Sequence, residues 1–278
     1  MTVRRVAILL VALALASCGT NAAKKHGKMT IAPDERRFTV NLSLRTRGGA
    51  LYVPKSLPKS GAAVVIALHG MGSNGEAFRS RGFDLFAERH GFIVVYPDGL
   101  SGGWSSPNDN AFFGYIIDGI KRKYHIDERA VFLTGHSLGA IQCYESAVIL
   151  GDRIRAIAPV SSPMCADTVQ LTVPLGPQHQ SYEPHPVRIL IIHSLDDEVI
   201  PYDGKIIGNI YSIKQTLDFW RKVNACADTW TDYPCGPGFD GRVWRGTDAE
   251  CVMVTRFQGG HSWPSTATEM ITKFFLEL

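Results

Sequence analysis

The chain has 278 residues, 45% of them hydrophobic, and a formal net charge of +3. That length and apolar content suit one large domain with its own core, with no internal repeat and no second domain boundary. The charge, part of it on Arg4 and Arg5 of the leader, is too small to argue for nucleic-acid or polyanion binding, and no C-x-x-C or clustered His/Cys spacing marks a metal site.

Met1–Arg5 is short and basic, and Val6–Ala16 is wholly apolar but too short to span a bilayer as a helix. Leu15-Ala16-Ser17-Cys18 then resembles a bacterial lipobox. The expected organisation is a signal peptide over 1–17, Cys18 as the lipidated first residue of the mature chain, a polar tether to Asp34, and one α/β domain over 35–278. The expectation is an exported protein, held to a membrane of the cell envelope through Cys18 or extracellular. Gly19 carries no acidic retention signal, which in a Gram-negative host points to the outer membrane. Lys24, Lys25 and Lys28 read as part of the solvated tether.

Arg37–Leu44 and Ala50–Val53 alternate as edge strands, joined in a hairpin through Arg47-Gly48-Gly49. Ala62–Leu68 is a continuous apolar run, the signature of a strand buried on both faces of a parallel sheet. It runs straight into His69-Gly70-Met71. Glu76–His90 predicts a helix broken near Gly82, Gly91–Tyr96 a second buried strand, and Asn110–Tyr124 a helix. Ala130–Thr134 is a third apolar strand. It ends in Gly135-His136-Ser137-Leu138-Gly139, a G-x-S-x-G turn that leads into a helix from Ala140. This strand–turn–helix context makes Ser137 a candidate nucleophile, because small neighbours let its hydroxyl stand exposed at the tip of a strained turn. The backbone N–H groups of Leu138, behind it, and Met71, after the first buried strand, are candidate donors to a developing oxyanion.

Ile154–Val160 is the next apolar strand, followed by a proline-rich loop over Ser161–Pro186 that holds His179 and His185. Val187–His193 is a strand. After it comes the acidic turn Asp196-Asp197-Glu198, then a helix over Ile210–Val223 with Ser212 and Gln215 at capping-box spacing. Ala225–Glu250 reads as an irregular insertion. Val252–Phe257 is the last strand, Gly259-Gly260-His261-Ser262-Trp263-Pro264 follows it, and Thr266–Leu278 closes as a helix. Strands alternating with helices give an α/β class with a doubly wound, mostly parallel sheet, whose candidate chemistry sits in loops after strand ends.

The order is serine, acid, histidine. His261 is the candidate general base, which takes the Ser137 proton and returns it to the leaving group. Asp196 and Asp197 compete as the acid that orients it. Trp104, Trp263 and His69 are candidate substrate-binding residues. Beyond Cys18 there are five cysteines, an odd number for an exported chain. Cys143 is the candidate buried free thiol. Cys226 and Cys251 bracket the irregular insertion, where a bridge would brace the loop before His261, and Cys165 and Cys235 remain as a second potential bridge.

Leu68-His69-Gly70, Val94–Gly99, Gly135–Ala140, His193–Tyr202 and Gly259–Pro264 together resemble the exported esterases that include poly(3-hydroxybutyrate) depolymerase-like lipoproteins and feruloyl or acetylxylan esterases. The likeness spans roughly Leu51–Phe275. It implies a single-domain α/β-hydrolase fold and a cofactor-free serine carboxylester hydrolase with a triad of Ser137, Asp197 and His261, acting through an acyl-enzyme on a small-molecule or polymeric ester. The family's H-G-T-x-D-x-x-V-P-Y pattern falls on His193–Tyr202 and selects Asp197 as the acid, and its Asn-Gly-Cys matches Asn224-Ala225-Cys226, in keeping with a Cys226–Cys251 bridge. Ala140 stands where a second elbow glycine is common, Ser194 replaces a glycine, and Met71 replaces a cysteine after His-Gly. Two other functions fit the same chain: acyl transfer to a carbohydrate or lipid acceptor, and a catalytically silent lipoprotein that binds polymer or glycan.

Overall fold

The apolar runs of the sequence form the middle of one sheet. The computed structural model describes residues 27–42, 45–104, 108–170, 172–175, 178–181, 183–204 and 210–277; the expected signal segment, Cys18 and most of the tether lie outside them. In chain order the strands are β1 (Lys28–Ile31), β2 (Arg37–Leu42), β3 (Arg45–Tyr52), β4 (Ala62–Leu68), β5 (Ile93–Pro97), β6 (Ile126–His136), β7 (Ala156–Val160), β8 (Thr172–Leu175), β9 (Gln178–Ser181), β10 (Arg188–Ser194), β11 (Thr231–Asp232), β12 (Phe239–Arg245) and β13 (Glu250–Arg256). Eleven of them form one sheet in the order β1-β2-β3-β5-β4-β6-β7-β10-β13-β12-β11, and β8 pairs with β9 in a separate hairpin. The stretch from β5 to β13 is parallel throughout. Both ends of the sheet are antiparallel.

Helices α1 (Gly75–Phe78), α2 (Phe83–His90), α3 (Asn108–Lys123), α4 (Leu138–Leu150), α5 (Ile213–Val223) and α6 (Ala267–Leu276) cover both faces. Strand alternation sorts the core into two layers. Val64, Ile66 and Leu68 pack with Phe112 and Ile116 of α3, Ile141 and Tyr144 of α4, and Trp220 of α5. Val65 and Ala67 face the other way, toward Phe78, Phe83 of α2, and Ile271 and Phe275 of α6. Such double burial explains why these strands read as unbroken apolar runs.

Four local expectations are corrected. The tether does not extend to Asp34, because β1 pairs antiparallel with β2. Met29 finds a burial site there, over the bare backbone of Gly119 in α3. Arg47-Gly48-Gly49 is not the hairpin turn but lies inside β3, where a β-carbon on Gly49 would overlap the Tyr96 carbonyl oxygen of β5. The 225–250 insertion contains β12, which extends the sheet beyond β13 and buries Val243 and Trp244. Cys165 and Cys235 do not form a bridge. They pack into opposite layers of the core and are free thiols.

Cys143 is free and fully buried. Cys226 and Cys251 are also free thiols in the structure, so the expected bridge is not formed there. Their sulfurs nonetheless face each other. The Cys251 thiol bonds to Cys226 Sγ, which draws the Cys226 thiol down to about 7 and pushes Cys251 up. Asn224 Nδ2 lies 3.3 Å from Cys251 Sγ.

Candidate active site

The elbow is built by close approach. A β-carbon on Gly135 would fall 2.5 Å from the Gly139 backbone, and one on Gly139 would overlap the Leu68 carbonyl oxygen. Helix α4 can therefore start directly against the ends of β4 and β6. Ser137 takes φ 56° and ψ −118° at the N-cap of α4, a conformation that L-residues rarely adopt. Its own N–H donates to the Val160 carbonyl at 2.9 Å, which ties the strained turn to β7.

Three side chains from three strand ends meet here. His261 Nε2 is 2.8 Å from Ser137 Oγ, and His261 Nδ1 is 2.8 Å from Asp197 Oδ2. An ionised carboxylate only accepts hydrogen bonds, so Nδ1 carries the ring proton and Nε2 is left with its lone pair toward the serine hydroxyl. Asp197 is 3% exposed. Its other oxygen accepts the N–H groups of Val199 and Ile200 at 3.0 and 2.9 Å, which fixes the carboxylate plane. Asp196 is exposed and does not touch the His261 ring; it accepts from the backbone of Gly259 and Gly260.

Leu138 is the first residue of α4, so its N–H has no partner within the helix. Gly70 lies against the elbow, with a β-carbon there only 3.4 Å from Ser137 Cβ. The Gly70–Met71 peptide is therefore next to the nucleophile. His69 holds this peptide in place. Its Nε2 accepts the Gly99 N–H at 2.9 Å, which leaves Nδ1 protonated and donating to the Gly70 carbonyl at 2.7 Å. In a trans peptide, fixing the Gly70 carbonyl fixes the Met71 N–H in the opposite direction.

Of the three expected substrate-binding side chains, His69 and Trp104 are buried and Trp263 is half-buried. His69 is fully buried, and burial lowers its pKa, partly offset by its bond to Gly70. Trp104 is 4% exposed, packs with its ring tilted against His69 and donates Nε1–H to the His69 carbonyl. Trp263 packs edge-on against Phe78 and Phe83 and donates to Thr268. All three support the loops around the site, because their polar edges are already used by backbone or neighbouring side chains.

Sequence reasoning missed two supports. Ser161, at φ 59° and 1% exposed, donates Oγ–H to the Ser262 carbonyl at 3.1 Å. Arg47 donates to the Asp98 carbonyl and makes a buried ion pair with Asp109, bracing the turn that carries Gly99. Arg47 falls in the expected turn, and nothing in its neighbourhood marks it as buried. Ser161 carries no signal either.

His193 and His136 are held neutral. Burial lowers His193 to about 4, against a partial offset from Asp197, and lowers His136 to about 3 with help from the nearby His261 and Arg81. His193 Nε2–H donates to the Ile200 carbonyl, and its buried Nδ1 has no partner among the described residues. Both folded values lie below the ordinary 6.5, so between those limits the unfolded chain binds more protons. Their stabilisation is complete above pH 6.5 and is lost as pH falls toward 4 and then 3. His193 alone accounts for about 3 kcal/mol over its window. Urea midpoints are expected to fall steadily from about pH 6.5 to about pH 5.5, above the range where most carboxylates titrate. A flat profile over that interval contradicts the assignment.

No family model matches the chain. It is 29% identical over 245 residues to a bifunctional acetylxylan esterase/xylanase of Neocallimastix patriciarum, covering 82% of this chain and 33% of that protein. It is 29% identical over 124 residues to poly(3-hydroxyalkanoate) depolymerase C of Paucimonas lemoignei, covering 40% and 30%. Over 175 residues it is 25% identical to a probable feruloyl esterase C of Aspergillus niger, covering 61% and 56%. The chain thus spans about a third to just over half the length of these relatives. Among solved structures it matches the acetyl xylan esterase from Aspergillus awamori with a TM-score of 0.60 at 18% identity, over 82% of this chain and 93% of that one. The molecule has the α/β-hydrolase fold and is similar in sequence to proteins named acetylxylan esterase, feruloyl esterase and poly(3-hydroxyalkanoate) depolymerase.

Proposed function

We propose that this protein is a serine carboxylester hydrolase that works through an acyl-enzyme on Ser137. The observation that carries this reading is the relay Ser137 Oγ–His261 Nε2, His261 Nδ1–Asp197 Oδ2, with both contacts at 2.8 Å. His261 removes the Ser137 proton as Oγ attacks the ester carbonyl. The N–H groups of Met71 and Leu138 receive the developing oxyanion, and His261 then protonates the leaving alcohol. Water repeats the sequence in reverse to release the acid. Asp197 stays ionised and stabilises the imidazolium. No metal or cofactor enters this scheme.

The substrate is an ester of the kinds in the relatives' names: an acetylated or feruloylated glycan, or a hydroxyalkanoate oligomer or polymer. We place the enzyme at the cell envelope through a lipid on Cys18. The adjacent Cys226 and Cys251 thiols suit a disulfide in that oxidising setting. The test is a hydrolysis panel on protein lacking Met1–Cys18: p-nitrophenyl acetate, acetylated xylan, methyl ferulate and hydroxybutyrate oligomers. Turnover of at least one, with labelling of Ser137 by a fluorophosphonate, is expected. No turnover and no label would favour the silent binding protein, and ester products formed on an added acceptor in preference to hydrolysis would favour acyl transfer.

A further inference from the structure

Two aspartates in tandem follow β10, and only the second touches the His261 ring. Asp196 is exposed. The bland account of such a residue is a solvated turn aspartate. Its contacts are more specific than that. Asp196 Oδ2 accepts the Gly259 N–H at 3.0 Å, and Oδ1 accepts the Gly260 N–H at 2.8 Å. One carboxylate thus binds two successive backbone donors, the arrangement of an anion-holding nest. The nest depends on glycine at both positions. Gly259 has φ 143° and Gly260 has φ 58°. A β-carbon on Gly259 would also overlap the Arg256 guanidinium.

The residue after this pair is His261. We propose that Asp196 is a positioning residue that clamps the Gly259-Gly260 nest, so that the backbone of His261 is held by Asp196 while its ring is held by the adjacent Asp197. This rests on the hydrolase reading of Ser137 and His261. Because the two aspartates are consecutive, clamp and acid belong to one rigid dipeptide after β10. The distance from the His261 backbone to its ring acceptor is thereby set within one unit and does not depend on two loops moving independently. The far side of the turn is fixed separately. Ser262 O accepts from Ser161 Oγ, Ser262 Oγ accepts from Arg256 Nη1 at 3.0 Å, and Ser262 Oγ donates to the Gly259 carbonyl at 2.7 Å. With Asp196 removed, these contacts keep the turn in place, but its histidine side is free to rotate.

The experiment compares wild type, D196A, D196N and S137A in the full chain. It reads kcat and KM on p-nitrophenyl acetate and the low-field proton NMR signal of the His261 Nδ1–H bond to Asp197. D196A is expected to lower kcat by on the order of 10- to 100-fold, the scale of a small misplacement of a catalytic group. KM should stay within about threefold, because the clamp touches no substrate, and the low-field signal should broaden or vanish. D196N keeps one acceptor oxygen for two donors and should fall between. A D196A protein with wild-type kcat and an unchanged low-field signal overturns the proposal. If D196A does not fold, D196N decides: wild-type kcat and signal overturn the clamp, and a loss of about 3- to 10-fold at constant KM supports it. Failure of the hydrolase reading looks different. It is an inactive wild type or an active S137A, and the NMR comparison then still tests the clamp without turnover.

Discussion

Replacing Ser137 with alanine lowers kcat on ester substrates by on the order of 10⁴-fold or more. In the proposed mechanism the hydroxyl forms the acyl-enzyme, and it stands 2.8 Å from His261 Nε2. What should remain is the binding of substrate and the proposed oxyanion donors, the N–H groups of Met71 and Leu138, with a small residual acceleration over water. Folding should be little changed. The Ser137 N–H bond to Val160 is a backbone bond, and alanine meets the same strain at φ 56° as serine does. Serine to glycine should therefore be as inactive yet more stable, since glycine adopts positive φ without penalty. Steady-state kinetics with p-nitrophenyl acetate and thermal melts of both variants check this. Wild-type turnover in the alanine variant sinks the mechanism.

The second large effect is expected from Asp197→Asn, a change of one atom. Oδ1 must go on accepting from Val199 and Ile200 N–H, so the new amide nitrogen is turned toward His261. It is a donor where the ring needs an acceptor. His261 then moves its proton to Nε2, which faces Ser137 and can no longer take the serine proton. The expected loss in kcat is about 10⁴-fold with the fold intact. A crystal structure or NMR tautomer assignment of the variant should find Nδ1 unprotonated. Turnover within tenfold of wild type would show that Asp197 does not set the tautomer. Asp197→Ala should lose both functions and also stability, because Val199 and Ile200 then lack their acceptor in a buried turn.

Much of this site was legible before any coordinates. The parallel strands were visible because burial on both faces favours unbroken apolar runs, as in Ala62–Leu68 and the Ile189–Ile192 stretch of β10. Gly135 and Gly139 were visible because backbone packing there excludes any β-carbon. The antiparallel ends of the sheet were harder. Strand β12, Phe-Asp-Gly-Arg-Val-Trp-Arg, is polar at alternate positions and follows a loop rich in glycine and proline, so its pairing with β13 is a tertiary choice. The rivalry of Asp196 and Asp197 could not be resolved from residue chemistry, since either carboxylate could reach a histidine. Only the register of the turn decides, and it gives each aspartate a separate task. The orientations of His69, Trp104 and Trp263 were not legible for a related reason. A sequence places them near a site but does not say on which side of the loop they point.

The relay joins partners 124 and 64 residues apart in the chain, carried by β6, β10 and β13. Those strands are brought together by parallel pairing alone, the slow and non-local part of folding. No hairpin, helix pair or other local unit contains two of the three groups. A partly folded chain, a proteolytic fragment or a nascent chain that has not yet laid down β13 therefore has no latent esterase site. On the proposed function, ester-cleaving power would therefore arise only when the last parallel strand is in place.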